Sequence, residues 1–282
     1  MTRVTARHPI IHVDSLHPQG TRRIDRLAVE EPLEIRLGGE PYTVTMRTPG
    51  ADIELVHGLL AAEGIIRGPE DVLQARYCAG SVMDDDLGQP ANTYNVLDVR
   101  LAPGVVVPDA RLRRSVTSSA CGVCGTASID LLRQEAAFDL SQDSCRVPAD
   151  VLLGLPDRLR EVQRTFEATG GLHGVALFTA DGELLVARED VGRHNATDKV
   201  VGWALLNGRR PASGCVLMVS GRTSFELAQK AVLAGIPVLA GISAPSSLAV
   251  EVADSTGLTL AGFVRGDRMN LYSNPERIAF DA

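Results

Sequence analysis

Aromatic side chains are scarce, at 4% of residues with one tryptophan, and the 28 Lys and Arg are outnumbered by 35 Asp and Glu. A net charge of -7 provides no basic field to hold a phosphate backbone, and few rings are present to stack bases, which excludes a general nucleic-acid binder. Any anionic ligand must therefore be held by local groups. No apolar run approaches a membrane span, and Met1 to Arg23 hold no apolar core of signal-peptide length, so a cytoplasmic protein without a membrane partner is expected. Neither a G-x-x-x-x-G-K-[ST] loop nor a G-x-G-x-x-G fingerprint is present, which disfavours an ordinary ATPase or nicotinamide enzyme. The five cysteines, Cys78, Cys121, Cys124, Cys145 and Cys215, are an odd number in a chain too large to need staples. A disulfide framework is not expected.

What is present is a globular composition, 45% hydrophobic and 22% charged over 282 residues, with room for one large domain or two smaller ones. Residues 1–23 are polar, broken by Pro9, Pro18 and Gly20, and are expected to form a mobile tail outside the fold. Residues 24–114 read as a β-rich region. Leu33 to Leu37 and Tyr42 to Met46 alternate around Gly38-Gly39 as a hairpin, and Ile53 to Gly64 follow as a helix with Asp52 as its N-cap. His57, lacking partners at ligand spacing, reads as a packing or surface residue. Asp84-Asp85-Asp86 have no closing glutamate at calcium-loop spacing and read as a solvated loop. Asn95 to Leu101 form another strand, and Arg111, Arg113 and Arg114 a basic cluster that suits either an anion or an exposed face. Residues 115–147 hold a cysteine loop and a connecting helix.

Residues 148–282 form the α/β part. Asp150 to Ala168 read as a helix with a kink or fresh start at Pro156, closed by Gly170-Gly171. A second hairpin, Val175 to Thr179 with Leu184 to Ala187, turns on Asp181-Gly182. A dense polar patch, Glu189 to Lys199, then opens the helix running to Leu206. Strand Cys215 to Val219, helix Ser224 to Ala234, strand Pro237 to Ala240, helix Ser246 to Asp254 and strand Thr259 to Val264 alternate as parallel strands with helical crossovers. Three of these strands end in Ser220-Gly221-Arg222-Thr223-Ser224, Ser243 to Ser247, and Arg265-Gly266-Asp267-Arg268. Ligands bind at carboxyl ends of strands in such sheets, where helix N-termini offer free N–H groups to anions, so a phosphate-bearing ligand is expected.

Cys121 and Cys124 stand in the run Ser118-Ser119-Ala120-Cys121-Gly122-Val123-Cys124-Gly125-Thr126. The glycines beside them reduce bulk and permit tight turns, while Ala127 to Arg133 have helical spacing that would place Cys124 near a helix N-terminus, where thiolate is favoured. Structural zinc would need a second ligand pair that is missing. A thiol-disulfide oxidoreductase would carry the pair at the start of a βαβ unit, whereas here that unit lies later. A persulfide carrier needs a nucleophilic thiolate on an exposed loop and gains from a second thiol, requirements this run meets along with other thiol proteins. Zinc deaminases share the order helix, hairpin, helix, strand, helix, strand. Their H-x-E and P-C-x-x-C positions hold Glu189 to His194 and Ser220 to Ser224 here, without a cysteine pair.

Four motifs together resemble the FdhD family of formate dehydrogenase accessory sulfurtransferases. They are S-x-x-C-G-V-C-G, Glu-Asp-Val-Gly-Arg-His-Asn-Ala-x-Asp-Lys at Glu189 to Lys199, Ser-Gly-Arg-x-Ser-x-Glu at Ser220 to Glu226, and Phe263-Val264-Arg265-Gly266-Asp267-Arg268. Ala120 and Thr126 depart from the pattern and leave both sulfurs in place. The resemblance implies a cytidine-deaminase-like mixed sheet with helices, α/β (α+β) in class, behind a smaller β-rich N-terminal domain, and a homodimer. It implies a sulfurtransferase that takes persulfide sulfur from a cysteine desulfurase and passes it to a molybdenum or tungsten bis-guanine-dinucleotide cofactor, a bound substrate destined for formate dehydrogenase. No permanent metal is implied. Cys121 would bear the persulfide with Cys124 as its helper, and Phe263, Val264, Arg265, Gly266, Asp267 and Arg268 would bind the cofactor. The strand-end loop Ser220, Gly221, Arg222, Thr223 and Ser224 would assist, with Asp190 and His194 shaping the pocket. A cofactor-binding chaperone without sulfur transfer, or a thiol-disulfide oxidoreductase, is the alternative.

Overall fold

The computed structural model describes residues 4–78, 81–83, 90–92, 94–107, 132 and 137–280. Cys121, Cys124, the arginines at 111, 113 and 114, and the three aspartates at 84–86 lie outside the described residues.

At the centre is a six-stranded mixed sheet, ordered β11-β10-β12-β13-β14-β15. It comprises β10 (His173–Thr179), β11 (Leu184–Asp190), β12 (Cys215–Val219), β13 (Val238–Gly241), β14 (Thr259–Arg265) and β15 (Arg268–Ser273). The strands β12, β13 and β14 run parallel, as their helical crossovers require, and β10 and β15 pair antiparallel on either side. Alternate residues of these strands enter two cores, because successive side chains point to opposite faces. Val175, Leu177, Leu217, Val219, Leu239 and Leu260 pack under the helices α4 (Arg193–Leu206), α5 (Phe225–Leu233) and α6 (Ser247–Thr256). Ala176, Phe178, Val216, Met218, Val238, Ala240 and Ala261 pack on the other face under α2 (Ala149–Val162).

A second layer stands outside α4. The four-stranded sheet β4-β3-β8-β5 holds the expected hairpin, β3 (Glu31–Leu37) with β4 (Glu40–Arg47), together with β5 (Val72–Tyr77) and β8 (Val96–Leu101). It packs on α1 (Asp52–Ala62) around Leu33, Ile35, Leu55, Leu60 and Leu97, and α4 adds Leu205 to this core. Small pairings complete the molecule: β6 (Ser81–Met83) with β7 (Pro90–Asn92), and β9 (Val147–Pro148) with β16 (Ile278–Ala279).

The structure corrects three expectations. Residues 4–23 are not left outside the fold. Thr5–His12 (β1) pairs antiparallel with Thr21–Ala28 (β2), and β2 lies against α3 (Arg164–Thr169). Asp52 does not cap α1. The capping position is Ala51, in the left-handed region at φ 55, and the Asp52 carboxylate is instead buried against Arg47 at 3.0 Å while the Tyr77 hydroxyl donates to it at 3.1 Å. A buried guanidinium needs its counter-ion more than a helix end, which water can reach, needs a side-chain cap. Finally, α2 continues unbroken through the buried Pro156, and the fresh start falls at Gln163 with α3 following. Of the packing and surface roles left open for His57 the structure shows the packing one: it is buried, its Nδ1–H directed at the Ile53 carbonyl at 2.7 Å.

Candidate functional site

The three strand-end loops of the α/β sheet are stitched into one surface. Ser220, directly after β12, is fixed to the start of β10: its N–H donates to the Gly174 carbonyl and its Oγ accepts from the Gly174 N–H, each at 2.9 Å. Thr223 N–H donates to Ala244 O at 3.3 Å and Ser246 N–H to Thr223 O at 3.0 Å, joining the loops after β12 and β13. Phe263 N–H reaches Ser243 O at 3.2 Å and ties in β14. Phe263 itself sits at φ 52, a left-handed conformation unusual for a bulky residue, where the register between β14 and β15 shifts. The kink leaves Phe263 half-buried and puts the Arg265 guanidinium 5.8 Å from its ring centre, while Val264 turns inward to the core.

Helix N-termini converge on the same end. The hydroxyl of Ser246 caps α6 by accepting from Ala249 N–H at 3.3 Å. Ser224 holds the corresponding place at α5 and caps nothing: its Oγ lies 3.2 Å from His194 Nε2, which is also 2.9 Å from Glu226 Oε2. One Nε2–H is thus shared between hydroxyl and carboxylate, and that hydrogen bond holds the Glu226 carboxyl below its usual range despite burial. Burial, and after it the neighbouring Arg222, weakens the hold of Arg193 on its proton. The Arg193 and Arg222 guanidinium groups are therefore neighbours close to Glu226 in the first turn of α5, a pairing of positive charges that favours an anion.

A cleft of about 530 Å³ opens beside this cluster, between α2 and α3 on one side and the strand ends on the other. Arg160, Phe166, His173, Ser220 and Arg265 line it. The Arg160 guanidinium lies 4.3 Å from the Phe166 ring centre. His173 joins cleft and cluster, since a Cβ on Gly221 would stand 3.4 Å from its Nδ1. Burial, followed by the nearby Arg193 and His194 charges, lowers the His173 pKa, so at neutral pH it is an uncharged hydrogen-bonding ring.

The residues singled out from the sequence separate here. Ser220 and Arg265 line the cleft, with Phe263 beside Arg265. Gly221, Arg222, Ser224 and His194 belong to the adjoining cluster. Gly266 and Asp267, in the β14–β15 turn, and Arg268, which opens β15, are exposed. Val264 and Thr223 are buried, and the Thr223 Oγ1 has no hydrogen-bond partner among the described residues. Asp190, the cross-strand partner of His173 in the β10–β11 pair, is fully buried, 2.7 Å from Lys199 Nζ. It also accepts from the Thr48 N–H at 3.1 Å, the Gly192 N–H at 2.9 Å and the Asn195 amide at 3.2 Å, so in this structure it fastens β4 to the start of α4. Sequence reasoning missed Arg160, Phe166 and His173, because an Arg on a helix face and a His opening a strand look like ordinary surface.

Fold and site together define a mixed α/β protein with a cationic cleft where its parallel strands end, the position at which such sheets take anionic ligands. Residues 28–279 match the FdhD/NarQ family, and the chain belongs to it. It is 56% identical over 277 residues to the sulfur carrier protein FdhD of Nocardia farcinica, covering 98% of this chain and 95% of that protein. With the sulfur carrier protein FdhD of Streptomyces coelicolor it shares 54% identity over 284 residues, covering 100% and 98%. A crystal structure of a candidate formate dehydrogenase accessory protein from Desulfotalea psychrophila has the same fold, with a TM-score of 0.75 at 23% identity and coverage of 98% and 100%.

Proposed function

We propose that this chain is a cytoplasmic sulfur carrier that takes persulfide sulfur from a cysteine desulfurase and delivers it to a molybdenum or tungsten bis-guanine-dinucleotide cofactor used by formate dehydrogenase. The observation that carries this reading is the pairing of a C-x-x-C run, Cys121 and Cys124, with a cationic strand-end cleft, in a chain more than half identical to proteins named sulfur carriers. The chemistry balances in two exchanges. The Cys121 thiolate attacks the outer sulfur of the desulfurase persulfide, forming one S–S bond and breaking another, so no external oxidant is needed. Cys124 thiolate then attacks Sγ of Cys121, a disulfide forms, and the outer sulfur departs as hydrosulfide toward the bound cofactor. A thiol reductant opens the disulfide for the next round.

The cofactor is a substrate here, and its phosphates ask for guanidinium and N–H donors. Arg265 and the Ser220 hydroxyl supply donors in the cleft, with Arg193, Arg222 and the start of α5 alongside. Function as a homodimer belongs to the same proposal, to be read from light scattering on the purified chain. In cells lacking the native gene, Cys121→Ala is expected to leave formate dehydrogenase inactive while Cys124→Ala retains part of the activity. Full activity with Cys121→Ala would leave a cofactor-binding chaperone as the reading.

A further inference from the structure

We propose that Asp157 and Arg160 read the base of the nucleotide bound in the cleft and select guanine over adenine; this rests on the cofactor reading above. The two residues stand three apart on α2, so their side chains share one face of the helix, and both line the cleft. Both are exposed, and neither forms a hydrogen bond or ion pair with another side chain among the described residues. The Arg160 guanidinium rests over Phe166, which orients it on the cleft wall. Ser220, His173 and Arg265 line the same cleft from the strand ends.

This gives the cleft two chemically different ends. The strand-end side, with Arg265, the Ser220 loop and the start of α5 nearby, suits phosphate. The α2 side offers a carboxylate, which only accepts, next to a guanidinium, which only donates. Guanine is complementary to that pair: N1–H and the exocyclic N2–H donate to a carboxylate, while O6 and N7 accept from a guanidinium. Adenine presents an acceptor at N1, which a carboxylate repels. At about 530 Å³ the cleft falls within the range of nucleotide-sized pockets.

The test measures binding of GDP, ADP and xanthosine diphosphate to the full chain by calorimetry, for wild type, Asp157→Asn and a control, Glu161→Gln, an exposed position on the same helix that does not line the cleft. Wild type and control are expected to bind GDP at least about tenfold more tightly than ADP. Asp157→Asn is expected to lose roughly ten- to hundredfold in GDP affinity, the scale of a hydrogen bond to a charged group, and to prefer xanthosine diphosphate, whose O2 accepts from the new amide. Circular dichroism checks that the variant remains folded. If wild type binds GDP and ADP equally, or Asp157→Asn keeps the wild-type preference, base reading by Asp157 is overturned while nucleotide binding in the cleft survives. If neither diphosphate binds wild type, the cofactor reading of the cleft falls with it.

Discussion

Lys199 carries a positive charge where almost no water reaches it, at 2% exposure, and Asp190 is the only acid paired with it among the described residues. Its ammonium also donates to the Thr48 carbonyl at 2.8 Å, so removing it leaves one buried carboxylate without its counter-ion and removes one of the links between β4 and α4. Loss of one partner from a buried pair costs about 3–5 kcal/mol. Lys199→Met is expected to lose that much stability in urea unfolding, whereas an exposed substitution such as Glu161→Gln should change little. Histidines set the pH response. Burial lowers the pKa of both His57 and His173 below the ordinary 6.5, so at mildly acid pH the unfolded chain binds protons that the folded chain refuses. Stability is therefore present above that value and falls as pH drops through it. The urea midpoint is expected to be lower at about pH 5.5 than at about pH 7.5, with a smaller difference in His57→Gln. The polar run Glu189 to Lys199 was legible as special from its density alone. Which side chains point inward was not, because facing is decided by where β11 ends and α4 begins, and that junction puts Asp190 inside and His194 at the rim.

The helices α1 and α4 cross so closely that neither tolerates a side chain at the contact. A Cβ on Gly58 would stand 1.9 Å from the Asp198 carbonyl oxygen, and one on Gly202 would stand 1.8 Å from that of Glu54. Both obstacles are backbone and cannot rotate away. Gly58→Ala and Gly202→Ala are each expected to destabilise by about 3 kcal/mol, the upper part of the usual overpacking range, as read by urea midpoint. Periodicity made the parallel unit legible: β12, α5, β13, α6 and β14 lie where alternation and helical spacing placed them, since their buried faces leave little freedom of register. Local rules failed where a distant partner outbid them. Asp52 had the sequence context of an N-cap and was claimed by Arg47, while Pro156 had the look of a helix breaker and is a buried residue inside α2. The cleft wall was the least legible part. Asp157, Arg160 and Phe166 become a surface only when α2 and α3 meet the strand ends.

Taken whole, the molecule stacks α2, the six-stranded sheet, the helices α4 to α6, α1 and the four-stranded sheet, with α4 packed on both sides. The crossing glycines and the Thr48, Asp190 and Lys199 network bind the two sheet-containing layers into one unit. Unfolding is therefore expected as a single transition, with Trp203 fluorescence, reporting from α4, coinciding with far-ultraviolet circular dichroism; separated midpoints would mean that the layers unfold independently. Sulfur transfer makes its own demand on the intact chain, and intact-mass spectrometry after incubation with a cysteine desulfurase and cysteine examines it most directly. Wild type should gain the mass of one sulfur, removable by a thiol reductant, and Cys121→Ala should gain none. An unchanged wild-type mass, or the same adduct on Cys121→Ala, would contradict a persulfide carried on Cys121.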